Sequence, residues 1–573
     1  MEPLSGRWTK RRLIVLFLTA LVIGGIAAIL VWRPRSEPLS QMVPDGALAY
    51  VEIEDPAKLA EQFSTTQAYQ ALAPKLGWPQ RLSGIEFLRG FMDLTGLRQQ
   101  GLEMLLSAHV ALAVTGVEIE GGQFRPHLTL LFQPKAPPQV VEKWMVAQLK
   151  PLADRVYGPP VEEASDYAGR KIHSYKSPDG SRRIAWCMTD RVALIANHAD
   201  AIQQILDIQD HRKPSLDNFT DFQRLRAART NPLIFGYVNT QPIARKLQQF
   251  TWPTDLSASP ERLAVDALEI LLTAFNISLA YRLEVENGVV VERYHLPRPL
   301  ELHLEPAAGA SETHFYSLQF IPQQSRSFTI LRLGDLEPLS QDLDSALNRR
   351  LSVVSSIALR EIIIRFKRTW GLDERDTIVD ALGGEIALVE GNHPELLFIM
   401  QAKRKSKLVA LVGKYLQRGG ASTRSVQYDG FDIYTSTHES RKAFSFVDDL
   451  LLAGPLELVK WAIRARQQSA SIDHVWDLRA SIERYGQGAV EISVRLDRQE
   501  EARRIAAALQ RTSSRPQDVN QILSLLRSLP PTIRTTSLSD KDLVTETRSP
   551  LGELPFLLIG NQSNDGGSAL GGR

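Results

Sequence analysis

Eleven histidines and one cysteine limit the metal and redox chemistry open to this 573-residue chain. Cys187 is alone, so neither a disulfide framework nor a cysteine-based zinc site can be built from it. It reads as a small apolar residue of a buried strand. No His-Glu-x-x-His pair occurs, and no other close metal-ligand spacing is present. His127 and His393 each neighbour a proline, Pro126 and Pro394, but on opposite sides of it. A repeated metal site would keep one position, so these two read as surface residues. No Gly-x-Ser-x-Gly elbow marks a nucleophile. Gly383-Gly384 lacks the Lys-Ser/Thr of a phosphate loop and reads as a helix C-cap followed by a turn. Glu385, a single carboxylate without a partner, reads as an exposed charge at a strand start. The expectation is therefore no catalytic residue, no cofactor and no metal, and the balance leans away from an enzyme.

Two kinds of polar residue do suggest a surface. Gln133 and Gln401, and Lys135 and Lys403, recur in register between two similar stretches of chain. Lys403, Arg404, Lys405 and Lys407 form a local basic cluster, a candidate site for anionic lipid heads or a cell-wall polymer. A solvated helix face is the other reading of the same residues. No aromatic residues interleave with the cluster, and net charge is only +2, so nucleic acid is not an expected partner.

The elements that must position these residues begin with an anchor. Leu13 to Trp32 carries no charge. At 1.5 Å per residue such a helix reaches about 30 Å, the thickness of a bilayer's hydrocarbon core. Arg7, Lys10, Arg11 and Arg12 precede it and only Arg33 and Arg35 follow closely, which puts the N-terminus in the cytoplasm and the body outside it. Ala20, Gly24 and Ala28 fall on one face of that helix and would allow close helix–helix packing. A cleaved signal peptide is the rival reading, but the small residues lie inside the apolar run rather than at its end.

Beyond the anchor, hydrophobic residues at 43% and charged residues at 23% describe a globular body. It reads as α+β: two tandem similar halves with mainly antiparallel sheets. Leu97–Val114 matches Leu372–Val389, each a helix, a break and a strand. Pro126–Lys135 matches Pro394–Lys403, each a strand leading into a helix. Ala168-Gly169 and Asp429-Gly430 mark matching tight turns, and Asn287-Gly288 marks a type I′ hairpin. Helices are expected near Ala199–Ile208 and Leu456–Arg466. The division is a cytoplasmic tail (1–12), a transmembrane helix (13–32), a linker (33–43), a first repeat (44–300), a second repeat (301–560) and a disordered tail (561–573).

The opening Met42-Val43-Pro44-Asp45-Gly46-Ala47-Leu48-Ala49-Tyr50-Val51, the stretch Ala381-Leu382-Gly383-Gly384-Glu385-Ile386-Ala387-Leu388, and Tyr428-Asp429-Gly430 before a strand together resemble a family of membrane-anchored bacterial envelope proteins labelled domain of unknown function 3352. The Gly-Gly-Glu element becomes Ser107-Ala108-His109 in the first half. The resemblance implies a bacterial extracytoplasmic setting and carries no activity; with the anchor, the expectation is a single-pass inner-membrane protein whose body is periplasmic or extracytoplasmic. The expectation is a non-catalytic binding or scaffolding protein of the envelope, with an envelope protein or an anionic polymer as partner. The alternatives are a carrier or sensor of a lipid or other apolar molecule held between the halves, and a hydrolase whose groups are scattered along the chain.

Overall fold

A computed structural model describes residues 38–76, 99–120, 123–227, 232–239, 278–297, 315–334, 378–391, 395–417, 422–437, 442–512, 519–539 and 542–553, with a few isolated positions besides. The expected span Leu13–Trp32, with Ala20, Gly24 and Ala28, lies outside them, as do His393 and the tail 561–573. Among the described residues no helix is long and apolar enough to cross a membrane.

The strands of the first run are β1 (Ala49–Ile53), β2 (His109–Glu120), β3 (Gln123–Gln133), β4 (Val161–Tyr167), β5 (Arg170–Lys176), β6 (Arg183–Met188), β7 (Ala193–Ala196), β8 (Ile234–Asn239), β9 (Ser278–Glu286) and β10 (Val289–Pro297). Those of the second are β11 (Ser327–Arg332), β12 (Leu382–Glu390), β13 (Leu396–Ala402), β14 (Thr423–Tyr428), β15 (Phe431–Ser436), β16 (Lys442–Val447), β17 (Leu450–Pro455), β18 (Ala489–Arg495), β19 (Thr532–Leu538) and β20 (Asp542–Ser549). The helices are α1 (Pro56–Ser64), α2 (Gln67–Leu76), α3 (Gln99–Leu106), α4 (Pro138–Tyr157), α5 (Ala199–Gln209), α6 (Thr220–Arg226), α7 (Lys405–Leu416), α8 (Leu456–Gln467), α9 (Trp476–Tyr485), α10 (Gln499–Thr512) and α11 (Val519–Arg527).

All pairings between these strands are antiparallel, and they join them into one sheet. Its spatial order is β4-β5-β6-β7-β3-β2-β1-β8-β9-β10, then β20-β19-β18-β11-β12-β13-β17-β16-β15-β14. The second run thus repeats the order of the first in reverse. Smaller features match too. A bridge joins Pro44 to Ser215 in one run and Pro322 to Ser471 in the other. Register breaks at Val114/Gly116 in β2 and at Leu382/Ile386 in β12.

Side-chain alternation explains why helices cover both faces. Along β13, Leu397 and Ile399 enter one apolar cluster with α8 and α9. Phe398 and Met400 point the other way, to α7 through Leu408, Val412 and Leu416. The first run behaves alike. Leu131 of β3 joins the cluster built on α5, α6, Tyr50 and Tyr237, while Phe132 packs with Val141, Met145 and Leu149 of α4. A strand buried on both faces needs apolar residues at successive positions, which is why β3 and β13 read as continuous apolar runs.

The hairpins form as the turn residues require. Ala168-Gly169, Asn287-Gly288 and Asp429-Gly430 all take positive φ, the conformation of a type I′ turn. Asp55 accepts a bond from the Lys58 backbone N–H at 3.0 Å, with Pro56 opening α1. The body starts earlier than the expected linker boundary. Leu39–Met42 is a 3-10 helix, and Leu39 and Val43 are buried in the first-run core.

The runs meet where β10 pairs with β20, from Val290 opposite Ser549 to Pro297 opposite Asp542. Arg293 stands opposite Glu546 in this seam. Its guanidinium donates at 2.7 Å to each of Glu284, Glu286 and Glu546. Arg548 reaches Glu286 at 3.0 Å and Glu546 at 2.6 Å. Beside them Glu292 is fully buried and accepts from the Tyr281 hydroxyl at 2.6 Å.

Candidate functional site

A buried charged network in the first run surrounds Glu52. Alternation along β1 turns Tyr50 and Glu52 inward, between β2 and β8. Glu52 is 3% exposed. It meets His109 Nε2 at 2.6 Å and Arg226 Nη2 at 2.9 Å. Arg226, the last residue of α6, lies 5.7 Å from the Phe222 ring centre and 5.8 Å from that of Phe235. Its other terminal nitrogen bonds Ser40 Oγ, which in turn donates to Asp217 at 2.8 Å. Burial pushes the Glu52 carboxyl up, but the His109 bond and the Arg226 charge outweigh it and hold the group below its ordinary value. Burial, with Glu52 nearby, pushes the Tyr50 phenol well up.

This chain of groups ends at a cavity of about 630 Å³ beside the start of the body, lined by Gln41, Gln133, Thr189, Asp190, Lys213 and Asp217 among others. A second cavity, of about 550 Å³, lies against β11, β18 and the β19–β20 hairpin, with Arg326, Glu390, Asp497, Glu501, Arg534 and Glu553 in its wall. Polar and charged groups dominate both walls, and β10 and β20 are hydrogen-bonded together rather than separated by an apolar cleft.

The residues singled out from the sequence are placed as follows. Gln133 lines the first cavity. The basic cluster sits at the start of α7, and its members are engaged by the chain itself. Arg404 meets Asp380 at 2.9 Å, Lys407 meets the same carboxylate at 2.7 Å, and Lys405 donates to the Asp448 carbonyl at 2.7 Å. Gly383-Gly384 is not a helix cap. It lies inside β12 at the register break, where a Cβ on Gly383 would come within 2.8 Å of Gln401 Cγ. Glu385 is not exposed. It is 5% accessible and accepts from the backbone N–H of Ser317 at 2.7 Å and of Tyr316 at 3.3 Å, satisfying the start of the 3-10 helix Tyr316–Phe320. Cys187 is buried in β6 as expected, and burial pushes its thiol up to about 11.

Sequence reasoning missed the Glu52 network and missed the company His127 keeps. His127 is not a lone surface residue: its ring stacks on His198 at 4.6 Å between centres, with Glu118 beside both. Each of these groupings unites residues from separate elements, so no local spacing announces it. The only sequence signals were ionisable residues inside otherwise apolar strands, such as Glu52 in Ala-Tyr-Val-Glu-Ile.

An antiparallel sheet carrying helices on both faces defines an α+β protein. Within that class, residues 146–411 match the family model described as "Protein of unknown function (DUF3352)", which bears out the resemblance seen in the sequence. The match opens within α4 and closes within α7, the helices that follow β3 and β13. The comparison with curated proteins returned no match, and the comparison with solved structures returned none either.

Proposed function

We propose that this protein is a membrane-anchored scaffold of the bacterial envelope, whose internally duplicated body binds a partner protein or an anionic envelope polymer without transforming it. The observation that carries the proposal is the β10–β20 seam. It turns two similarly wired sheets into one, cross-braced by Arg293 and Arg548. A continuous sheet with helices on both faces offers a broad platform. The polar cavity beside Pro38 opens next to the segment that leads back to the uncharged stretch Leu13–Trp32. A partner held there would sit close to the membrane. Lys403 and its neighbours are the proposed contact for an anionic polymer, weakened by the share of their charge that Asp380 takes up.

Two measurements test this. A reporter active only outside the cytoplasm, fused after Glu553, should be active. Cross-linking in native membranes should then recover a specific partner whose yield falls when Asp190 and Lys213 in the cavity wall are changed to alanine. Reporter activity confined to the cytosol would remove the location. Equal recovery from the altered cavity would remove the binding face.

A further inference from the structure

We infer that Glu118, His127 and His198 form a binding site for a divalent transition-metal ion of the zinc class. Both imidazole Nε2 atoms converge on one carboxylate oxygen. Glu118 Oε1 lies 3.4 Å from His127 Nε2 and 3.8 Å from His198 Nε2. These separations exceed those of a charge-assisted hydrogen bond, about 2.7–2.9 Å. They are close to the roughly 3.3 Å edge of a tetrahedron whose centre lies about 2.0–2.1 Å from each ligand, the bond lengths zinc takes with imidazole and carboxylate. His127 Nε2 is buried and has no hydrogen-bond partner among the described residues. The trio is therefore close enough to share an ion once one imidazole turns out of the stack, since the two ring planes lie 10° apart and an imidazole binds a metal in its own plane.

Two features hold the site in place. Asn197, adjacent to His198, grips the backbone on either side of His127: its Oδ1 accepts from the Leu128 N–H and its Nδ2 donates to the Pro126 carbonyl, each at 2.8 Å. The β2 register break puts Gly116 opposite His127, where a Cβ would come within 3.2 Å of the ring. A glycine there leaves space for the imidazole. His198 Nδ1 has no hydrogen-bond partner among the described residues, and Asp200, 3.6 Å away, is too distant to supply one. Two imidazoles and one carboxylate at a partly open strand end leave a coordination position for water or a partner's side chain.

The test is zinc titration of the detergent-solubilised full chain against a chromogenic chelator, repeated with cobalt for its visible ligand-field bands. The expected result is one equivalent bound per chain, weakened on the order of 100-fold by His127→Ala and by His198→Ala, and about 10-fold by Glu118→Gln, since each removes one of three ligands. His474→Asn, in the second run, should leave binding unchanged. Glu118→Gln, at an exposed position of β2, keeps the test meaningful if either alanine variant misfolds. The inference is overturned if the wild-type chain binds no zinc, or if the three site variants bind as tightly as it does.

Discussion

Replacing Arg293 by methionine tests the seam directly. Arg293 is 20% exposed and makes three charge-assisted bonds of 2.7 Å. Each bond to a charged group contributes about 1.5–3 kcal/mol alone, but the three share one guanidinium and do not add. Removing one partner from a buried ion pair costs about 3–5 kcal/mol. Partial exposure, and the bonds Arg548 keeps to Glu286 and Glu546, place the expected loss near the lower end, about 3 kcal/mol. The assay is hydrogen exchange at the backbone amides of β10 and β20, with urea unfolding of the full chain alongside. At pH 7 exchange in the seam should accelerate on the order of 100-fold, following 1.4 kcal/mol per factor of ten. The sign with pH is fixed by Glu286. Burial pushes it up, but the bonds from Arg293 and Arg548 prevail and hold it below its ordinary value. A depressed carboxylate stabilises the folded state above its unfolded pKa, and that contribution is lost as pH falls through the folded value. The gap between wild type and variant should therefore be full at neutral pH and shrink below about pH 4. A variant within about 0.5 kcal/mol of wild type at pH 7, or a gap that widens in acid, would refute the reasoning.

Glu385→Gln should cost about 1–3 kcal/mol, read as a lowered urea midpoint, because it removes a charged acceptor from the buried N–H of Ser317 and the part-buried N–H of Tyr316. An unchanged midpoint would mean water or another group satisfies that turn equally well. Cys187, with its thiol pushed up to about 11 by burial, should resist a thiol reagent at pH 8 in the native protein and react at once in denaturant. Rapid native labelling would contradict its burial.

Much of the fold was legible because it is written locally. Ala168-Gly169, Asn287-Gly288 and Asp429-Gly430 specify hairpins from two residues each, and all three formed. Helices α5 and α8 run Ala199–Gln209 and Leu456–Gln467, within one residue of their expected ends. What escaped was non-local. Nothing near Val290 announces that its neighbour will be Ser549, so the seam could not be read. Glu385 looked like a solvated strand start because its partners, the N–H groups of Ser317 and Tyr316, arrive from a distant segment. Gly383-Gly384 mimicked a helix cap because the same residue type serves a strand bulge. The site residues escaped for the same reason. Glu118, His127 and His198 become neighbours only after β2, β3 and the start of α5 have packed.

The sheet's length has a mechanical consequence. Twenty strands spaced about 4.8 Å apart give a ribbon with a contour of about 90 Å from β4 to β14. That is three times the roughly 30 Å hydrocarbon thickness of a bilayer. At about 20° of twist per neighbour, its two rims differ in azimuth by more than one full turn. If the proposed anchor holds the N-terminus, a ribbon of that reach can meet a partner well clear of the membrane.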